Sequence, residues 1–221
     1  IFSNIFCNEG SSLSYTQISE CKSSVIINAD VTASASSSIS YNALSIDSCL
    51  YRNNMSVNLS GNDASAELSG LFFAKDRDHI EFHTEMKHSS SKTKSTQNFR
   101  GILSGSSSGF FNGLVKISGN GAGSEANQSN KNIIFGDKAR MNSNPQLVIE
   151  TDDVQCTHGS TTGQIDDDTL FYLRSRGIPV ELAYQMVVAG FSSEIFEKIP
   201  NDELRSYILG IIDKSVSKVA G

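Results

Sequence analysis

Between Ser24 and Ile149 the apolar residues come in short runs that read roughly with period two, and beyond Ile165 the spacing turns helical. The runs are Ser24-Val-Ile-Ile-Asn28, Ser38-Ile-Ser-Tyr-Asn-Ala-Leu-Ser-Ile46, Met55-Ser-Val-Asn-Leu59, Ala64-Ser-Ala-Glu-Leu-Ser-Gly-Leu-Phe72, His79-Ile-Glu-Phe-His83, Gly113-Leu-Val-Lys-Ile117 and Gln146-Leu-Val-Ile149. Alternation over four to eight residues, punctuated by Gly and Asn, is the pattern of short strands with one face turned inward. Strands spaced by about ten residues fit a sandwich, a barrel or a parallel β-helix. Three features favour the β-helix. Pro145 is the only proline before residue 163, many turns carry Gly or Asn, which tolerate a left-handed backbone, and small Ser and Ala residues suit close stacking of coils. No repeat of fixed length is visible, so the pattern alone leaves the sandwich open.

The helical part begins at Asp166-Asp-Asp168, which can cap and charge a helix start; Arg174 and Arg176 lie near its end and Gly177 stops it. Pro179 suits the first turn of a second helix reaching about Ala189. Ser192 or Ser193 is expected to open a short third helix ending before Pro200. Asn201, with Asp202 and Glu203, starts a fourth, whose Leu204, Ile208, Ile211, Ile212 and Val219 make one apolar stripe. The expectation is a mainly β body over residues 1–163 followed by a small α-helical domain over residues 164–221.

At 221 residues the chain can bury a sizeable core, and no run approaches the ~20 apolar residues that span a bilayer, so a chain without membrane insertion is expected. It opens on Ile rather than Met, which reads as a fragment or processed form with a segment missing upstream. The net charge of −6 is uneven: residues 1–149 carry 12 acidic and 12 basic side chains, and residues 150–221 carry 12 acidic and 6 basic. An acidic tail repels nucleic acid, whose binding rests on Lys and Arg against phosphate. Cys7, Cys21, Cys49 and Cys156 form neither a disulfide framework nor a zinc knuckle, so reduced thiols in a cytosol-like compartment are expected.

Four places carry possible chemistry. If Val154 to His158 is a strand, Cys156 and His158 share one face and Thr157 takes the other. A nucleophile with its base, a pair of metal ligands and a plain buried strand end all fit that arrangement. Two ligands do not close a metal site, and no oxyanion donor or third orienting residue precedes Cys156. His79, Glu81 and His83 share another strand face, with Asp78 and His88 nearby; an outward polar face is the simpler reading than a metal site. Gly119-Asn-Gly-Ala-Gly123 leads into no helical pattern and no Gly-Lys-Ser/Thr, so it reads as a turn rather than a phosphate cradle. Leu170, Phe171, Tyr172 and Leu173 run nearly all round the first helix, so it wants more than one neighbour; a small bundle packing on the β body and a docking surface both fit.

The strings Asn98-Phe-Arg-Gly-Ile102, Gly109-Phe-Phe-Asn-Gly-Leu-Val115, Asn144-Pro-Gln-Leu147, Asp152-Asp-Val-Gln-Cys-Thr-His-Gly-Ser-Thr-Thr-Gly-Gln-Ile-Asp-Asp167 and Leu170-Phe-Tyr-Leu-Arg-Ser-Arg-Gly-Ile178 together resemble the SufB/SufD family of iron–sulfur cluster assembly proteins. The run His79-x-x-x-His83-x-x-x-x-His88 resembles the family strand before Phe-Arg-Gly. The likeness covers roughly residues 60–219; residues 1–60 agree only in texture. Within the family the chain resembles SufD more than SufB, because Cys156-Thr-His158-Gly has the SufD form and Val148 and Ile149 stand near where SufB carries a cysteine. The resemblance implies a right-handed parallel β-helix with a helical domain behind it. It implies a non-catalytic scaffold that pairs with a SufB-like subunit through the β-helix and with a SufC-like ABC ATPase through the helical domain, in a bacterial cytoplasm or a plastid. His158, with Cys156, is then a partial iron–sulfur site that the partner subunit completes, and no cluster is held stably by this chain alone. Leu170, Phe171, Leu173, Arg174 and Arg176 become the candidate SufC contacts, and a homodimer is expected in isolation. The rival from another class is a stand-alone β-helix protein that binds or cleaves polysaccharide; it expects a carboxylate cluster or an aromatic ladder along one face, and neither is evident.

Overall fold

In the computed structural model the described residues are 1–221 other than Cys21, Glu194, Glu197, Lys198, Pro200, Ala220 and Gly221, with the side chains of 217–219 also outside the description. Cys21, Pro200 and the Val219 side chain, all part of the sequence reading, therefore lie outside it. The strands are β1 (Phe2–Cys7), β2 (Ser12–Glu20), β3 (Ser24–Ala33), β4 (Ser38–Ile46), β5 (Leu50–Leu59), β6 (Ser65–Ala74), β7 (His79–His88), β8 (Lys94–Leu103), β9 (Ser108–Ile117), β10 (Ser124–Ile134), β11 (Arg140–Ile149) and β12 (Val154–Gly163). The helices are α1 (Asp167–Ser175), α2 (Val180–Ser193) and α3 (Asp202–Val219).

Odd-numbered strands form one six-stranded sheet and even-numbered strands the other, and each strand pairs in parallel with the one two places along. The chain is a parallel β-solenoid of about six coils, two strands to a coil. Coil length drifts, which is why no repeat is visible: register partners Asn28 and Asn54 are 26 residues apart, and Asn112 and Asn144 are 32 apart.

The corner between odd and even strands is a stack of left-handed residues, Gly10, Ser36, Asp63, Lys92 and Gly123, with φ between 55° and 74°. Only two are glycines. A main-chain ladder offsets the strain at the others: Gly10 N–H donates to Ala35, Ser36 to Asn62, Asp63 to Ser91, Lys92 to Ala122 and Gly123 to Asp153.

Inside the solenoid, alternate residues of both sheets build the main core. Phe72, Phe82, Phe99 and Phe111 stack coil over coil, with successive ring centroids 5.9, 5.2 and 5.0 Å apart. A second core lies outside it. Leu44, Ile46, Leu71, Phe73 and Ile102 face outward from β4, β6 and β8, and pack against Val188, Ile208, Ile211, Ile212 and Val216 of α2 and α3. One face of the solenoid is thus roofed by helices while the other sheet's outer face is open.

Asp166 caps α1, its side chain accepting from the Thr169 N–H at 3.0 Å, and Gly177 takes φ +83° just beyond the end. Asn201 caps α3 in the same way, accepting from Leu204 N–H at 2.8 Å. Ser192 and Ser193 lie in α2, with the Ser192 hydroxyl donating back to the Val188 carbonyl at 2.6 Å. The short helix expected from them to before Pro200 falls on a stretch that includes Glu194, Glu197, Lys198 and Pro200, and so lies outside the described residues. Among the described residues there are three helices, and none is long and apolar enough to cross a membrane.

Candidate functional site

The last coil, β11 and β12, is the rim of the stack. Each strand has a neighbour on one side only, β9 and β10 respectively, so each presents one unpaired main-chain edge. Pro145 sits within β11, a place suited to an edge strand because proline has no N–H to donate.

Register fixes which way the β12 side chains point. Cys156 lies beside Ala126 and His158 beside Gln128. In β10, Ala126, Gln128, Asn130 and Asn132 are all buried, and they alternate with exposed or half-buried neighbours. Cys156 and His158 therefore share the inward-facing side of the strand, at the level where the interior opens. Cys156 is half-buried against the main core, and His158 is exposed. Across the mouth, the Ser160 hydroxyl donates to Ser143 Oγ at 2.8 Å, tying β12 to β11. Burial pushes the Cys156 thiol above its ordinary range, against a weaker opposing hydrogen bond from the Ala126 main chain. A neutral thiol is a poorer nucleophile, and as a ligand it must give up its proton when metal binds. As ligands, a sulfur and an imidazole suit iron, and two of them leave the coordination incomplete. Among the described residues no three His, Cys, Asp or Glu side chains are grouped to hold a metal ion.

The other sequence candidates resolve differently. Glu81 accepts from His79 Nε2 at 2.7 Å and His83 Nε2 at 2.8 Å, while His79 Nδ1 meets Ser108 Oγ at 2.6 Å and Arg52 lies 3.3 Å from Glu81. Burial raises the Glu81 carboxyl, but the two histidine bonds and the Arg52 charge together bring it below its ordinary value. This is a closed polar network on the outer face of the odd-numbered sheet. Residues 119–123 turn directly into β10, with Gly121 N–H donating to the Ser118 carbonyl, so no helix N-terminus is present for phosphate. His88 belongs to the core: fully buried, it bonds Thr93 Oγ1 at 2.7 Å and Ser95 Oγ at 2.8 Å, and burial lowers its pKa to about 4. Cys7 is buried and Cys49 exposed, both as free thiols.

On α1, Leu170 is the buried side chain, 7% exposed. Phe171 and Tyr172 are exposed, Leu173 is half-buried, and Arg174 and Arg176 are exposed, with the Arg176 guanidinium over the Tyr172 ring at 5.0 Å.

Two residues stand out that the sequence reading did not single out. Arg100 of β8 is 2% exposed and reaches outward to donate to the main-chain carbonyl of Phe191. In the sequence it stands inside Phe-Arg-Gly, where a charged residue two places before apolar Ile102 is the available signal. Gln128 is buried in the interior of β10, directly beneath His158 in register.

The chain matches the family described as SUF system FeS cluster assembly, SufBD core domain, over residues 1–191. The match thus extends over the first coils, beyond the resemblance noted from about residue 60, and stops within α2. The chain is 32% identical over 161 residues to the iron–sulfur cluster assembly protein SufD of Escherichia coli, covering 73% of this chain and 38% of that protein. It is 38% identical over 165 residues to an iron–sulfur cluster assembly SufBD family protein of Mycobacterium tuberculosis, covering 71% and 42%. With the chloroplastic protein ABCI7 of Arabidopsis thaliana it shares 29% over 168 residues, covering 74% and 35%. The chain therefore spans about two fifths of the length of these curated relatives. With a parallel solenoid, a helical tail and a match over most of its length, this chain belongs to the SufBD core-domain family of the SUF iron–sulfur cluster assembly system.

Proposed function

We propose that the chain is a SufD-type, non-catalytic scaffold in the assembly of iron–sulfur clusters, dividing into the solenoid of residues 1–163 and a helical part from residue 164. The observation that carries this reading is the rim: a thiol and an imidazole on one inward face, at a mouth flanked by two unpaired strand edges. Cys156 and His158 supply part of a ligand set, and a SufB-like solenoid docking against β11 and β12 supplies the rest. Iron and sulfide are then cargo assembled between subunits, and the chain alone holds no stable cluster. The absence of a cysteine at Val148 and Ile149 agrees with a supporting subunit rather than the main cluster-bearing one.

The helical part receives a SufC-like ATPase. Phe171, Leu173, Arg174 and Arg176 offer an apolar and basic face on a helix with one buried side chain. ATP-driven movement there reaches the rim through residues 159–163, to the extent that ATP binding favours one arrangement over the other. In isolation, the free edge of β11 or β12 pairs with a second copy.

Native mass measurement tests the reading. Mixed with SufB-like and SufC-like proteins from the same source, the chain is expected in one complex containing both. A chain that stays alone, or that pairs only with itself in their presence, contradicts it.

A further inference from the structure

One column of the even-numbered sheet runs through the interior as Tyr41, Leu68, Gln97, Gln128 and His158, each in register with the next. Facing it across the solenoid, the odd-numbered sheet places Met55, Thr84, Gly113 and Pro145. Apolar residues give way to amides in the two coils below the rim. Gln97 is partly satisfied, its Oε1 accepting from Thr84 Oγ1 at 2.6 Å. Gln128 is not. It is 1% exposed, and among the described residues neither its Oε1 nor its Nε2 has a hydrogen-bond partner.

The fold makes room for this amide. A Cβ added at Gly113 would lie 2.1 Å from Gln128 Nε2, so glycine stands mid-strand in β9 where an alanine would collide. Glycine weakens a strand, and an unpaired buried amide gives up its hydration with nothing in return. A methionine at 128 would fill the same length without that penalty. Two unfavourable choices in one coil call for an explanation other than packing. The position supplies one, because the next residue up the column is His158, whose imidazole also has no partner among the described residues.

We infer that Gln128 is a positioning residue of the rim site, its amide being the internal hydrogen-bond partner of the His158 imidazole when that ring turns over the mouth to ligate metal. A carboxamide accepts from an imidazole N–H through its oxygen, which fixes the tautomer and leaves the other ring nitrogen's lone pair for the ion. The inference rests on the reading of His158 as a ligand and adds its orienting group.

The test uses the complex assembled with SufB-like and SufC-like partners and titrates it with Co2+, whose visible bands report nitrogen and sulfur ligation. Three variants are compared with the parent: Gln128→Met, His158→Ala and a control, Gln97→Met with Thr84→Val, which removes the deeper amide out of reach of the ring. Gln128→Met is expected to weaken Co2+ binding about tenfold and slow cluster formation, while the isolated variant chain melts no lower than the parent. The control is expected to leave the affinity within twofold. If His158→Ala weakens binding and Gln128→Met does not, or if the control weakens it as much, the role of Gln128 is overturned and His158 keeps its own. If His158→Ala leaves Co2+ binding unchanged, both readings fall.

Discussion

The guanidinium of Arg100, on β8, donates to the main-chain carbonyl of Phe191 in the last turn of α2 and lies over the Phe191 ring at 4.9 Å. The last turn of α2 has no basic residue of its own, so a strand of the solenoid supplies the cation that a helix C-terminus favours. Together with the second core, this contact makes the helical roof part of the solenoid's wall. Replacing Arg100 by Met is expected to destabilise the chain by about 2 kcal/mol, since a part-buried carbonyl loses its charged donor. Arg100→Lys should recover only part, because an ammonium keeps the charge but not the flat stacking surface. Urea unfolding of the three chains checks the order; a Met variant as stable as the parent would contradict it.

Gly113 and Gln128 are expected to be coupled. Gly113→Ala alone drives a Cβ into the Gln128 amide and the Phe111 ring, at an expected loss of about 2 kcal/mol. In a Gln128→Ala background the first of these collisions disappears. A double-mutant cycle should then return a coupling of at least about 1 kcal/mol. Simple additivity would show that the amide and the missing Cβ do not share space.

His88 gives the stability a pH dependence. Its pKa is lowered from the ordinary 6.5 to about 4 by burial, so the unfolded chain binds this proton more tightly than the folded chain does. Its contribution is therefore fully present above about pH 6.5 and is lost as pH falls toward 4, up to about 3 kcal/mol in all. Denaturant titrations at pH 7, 5.5 and 4.5 should show the decline, and His88→Gln should flatten it. An unchanged slope in that variant would mean other groups are responsible.

Phe171 is 73% exposed on α1 and holds no part of the core. Phe171→Asp is expected to leave melting unchanged while reducing retention of a SufC-like ATPase on the immobilised complex by about tenfold or more. Normal retention would move the docking face elsewhere, the shallow groove of about 230 Å³ lined by Leu182, Met186 and Val216 between α2 and α3 being the next place to mutate.

Strands with apolar interiors announced themselves in the sequence, and strands with polar interiors did not. β7 alternates Ile80, Phe82 and Met86 with polar residues and reads at once as a strand. β10 turns Gln128, Asn130 and Asn132 inward, so its outward and inward residues are equally polar and the period-two signal vanishes. β8 hides for the same reason at Ser95 and Gln97. Helix caps were legible at Asp166, Gly177 and Asn201 because capping is local chemistry; the cation at the last turn of α2 was not, since Arg100 reaches it from a distant strand. Cys156 and His158 were found by strand periodicity, but their place at the rim depends on which coil comes last. The family resemblance came from strings such as Asn98-Phe-Arg-Gly101, and not from the pattern of strands.

The most direct measurement is the rate of iron–sulfur cluster formation by the complete complex carrying His158→Ala, alongside its native mass. An imidazole that completes a ligand set shared between subunits predicts a correctly assembled complex that builds clusters slower, on the order of tenfold or more. Clusters formed at the parent rate by an intact complex would contradict that account.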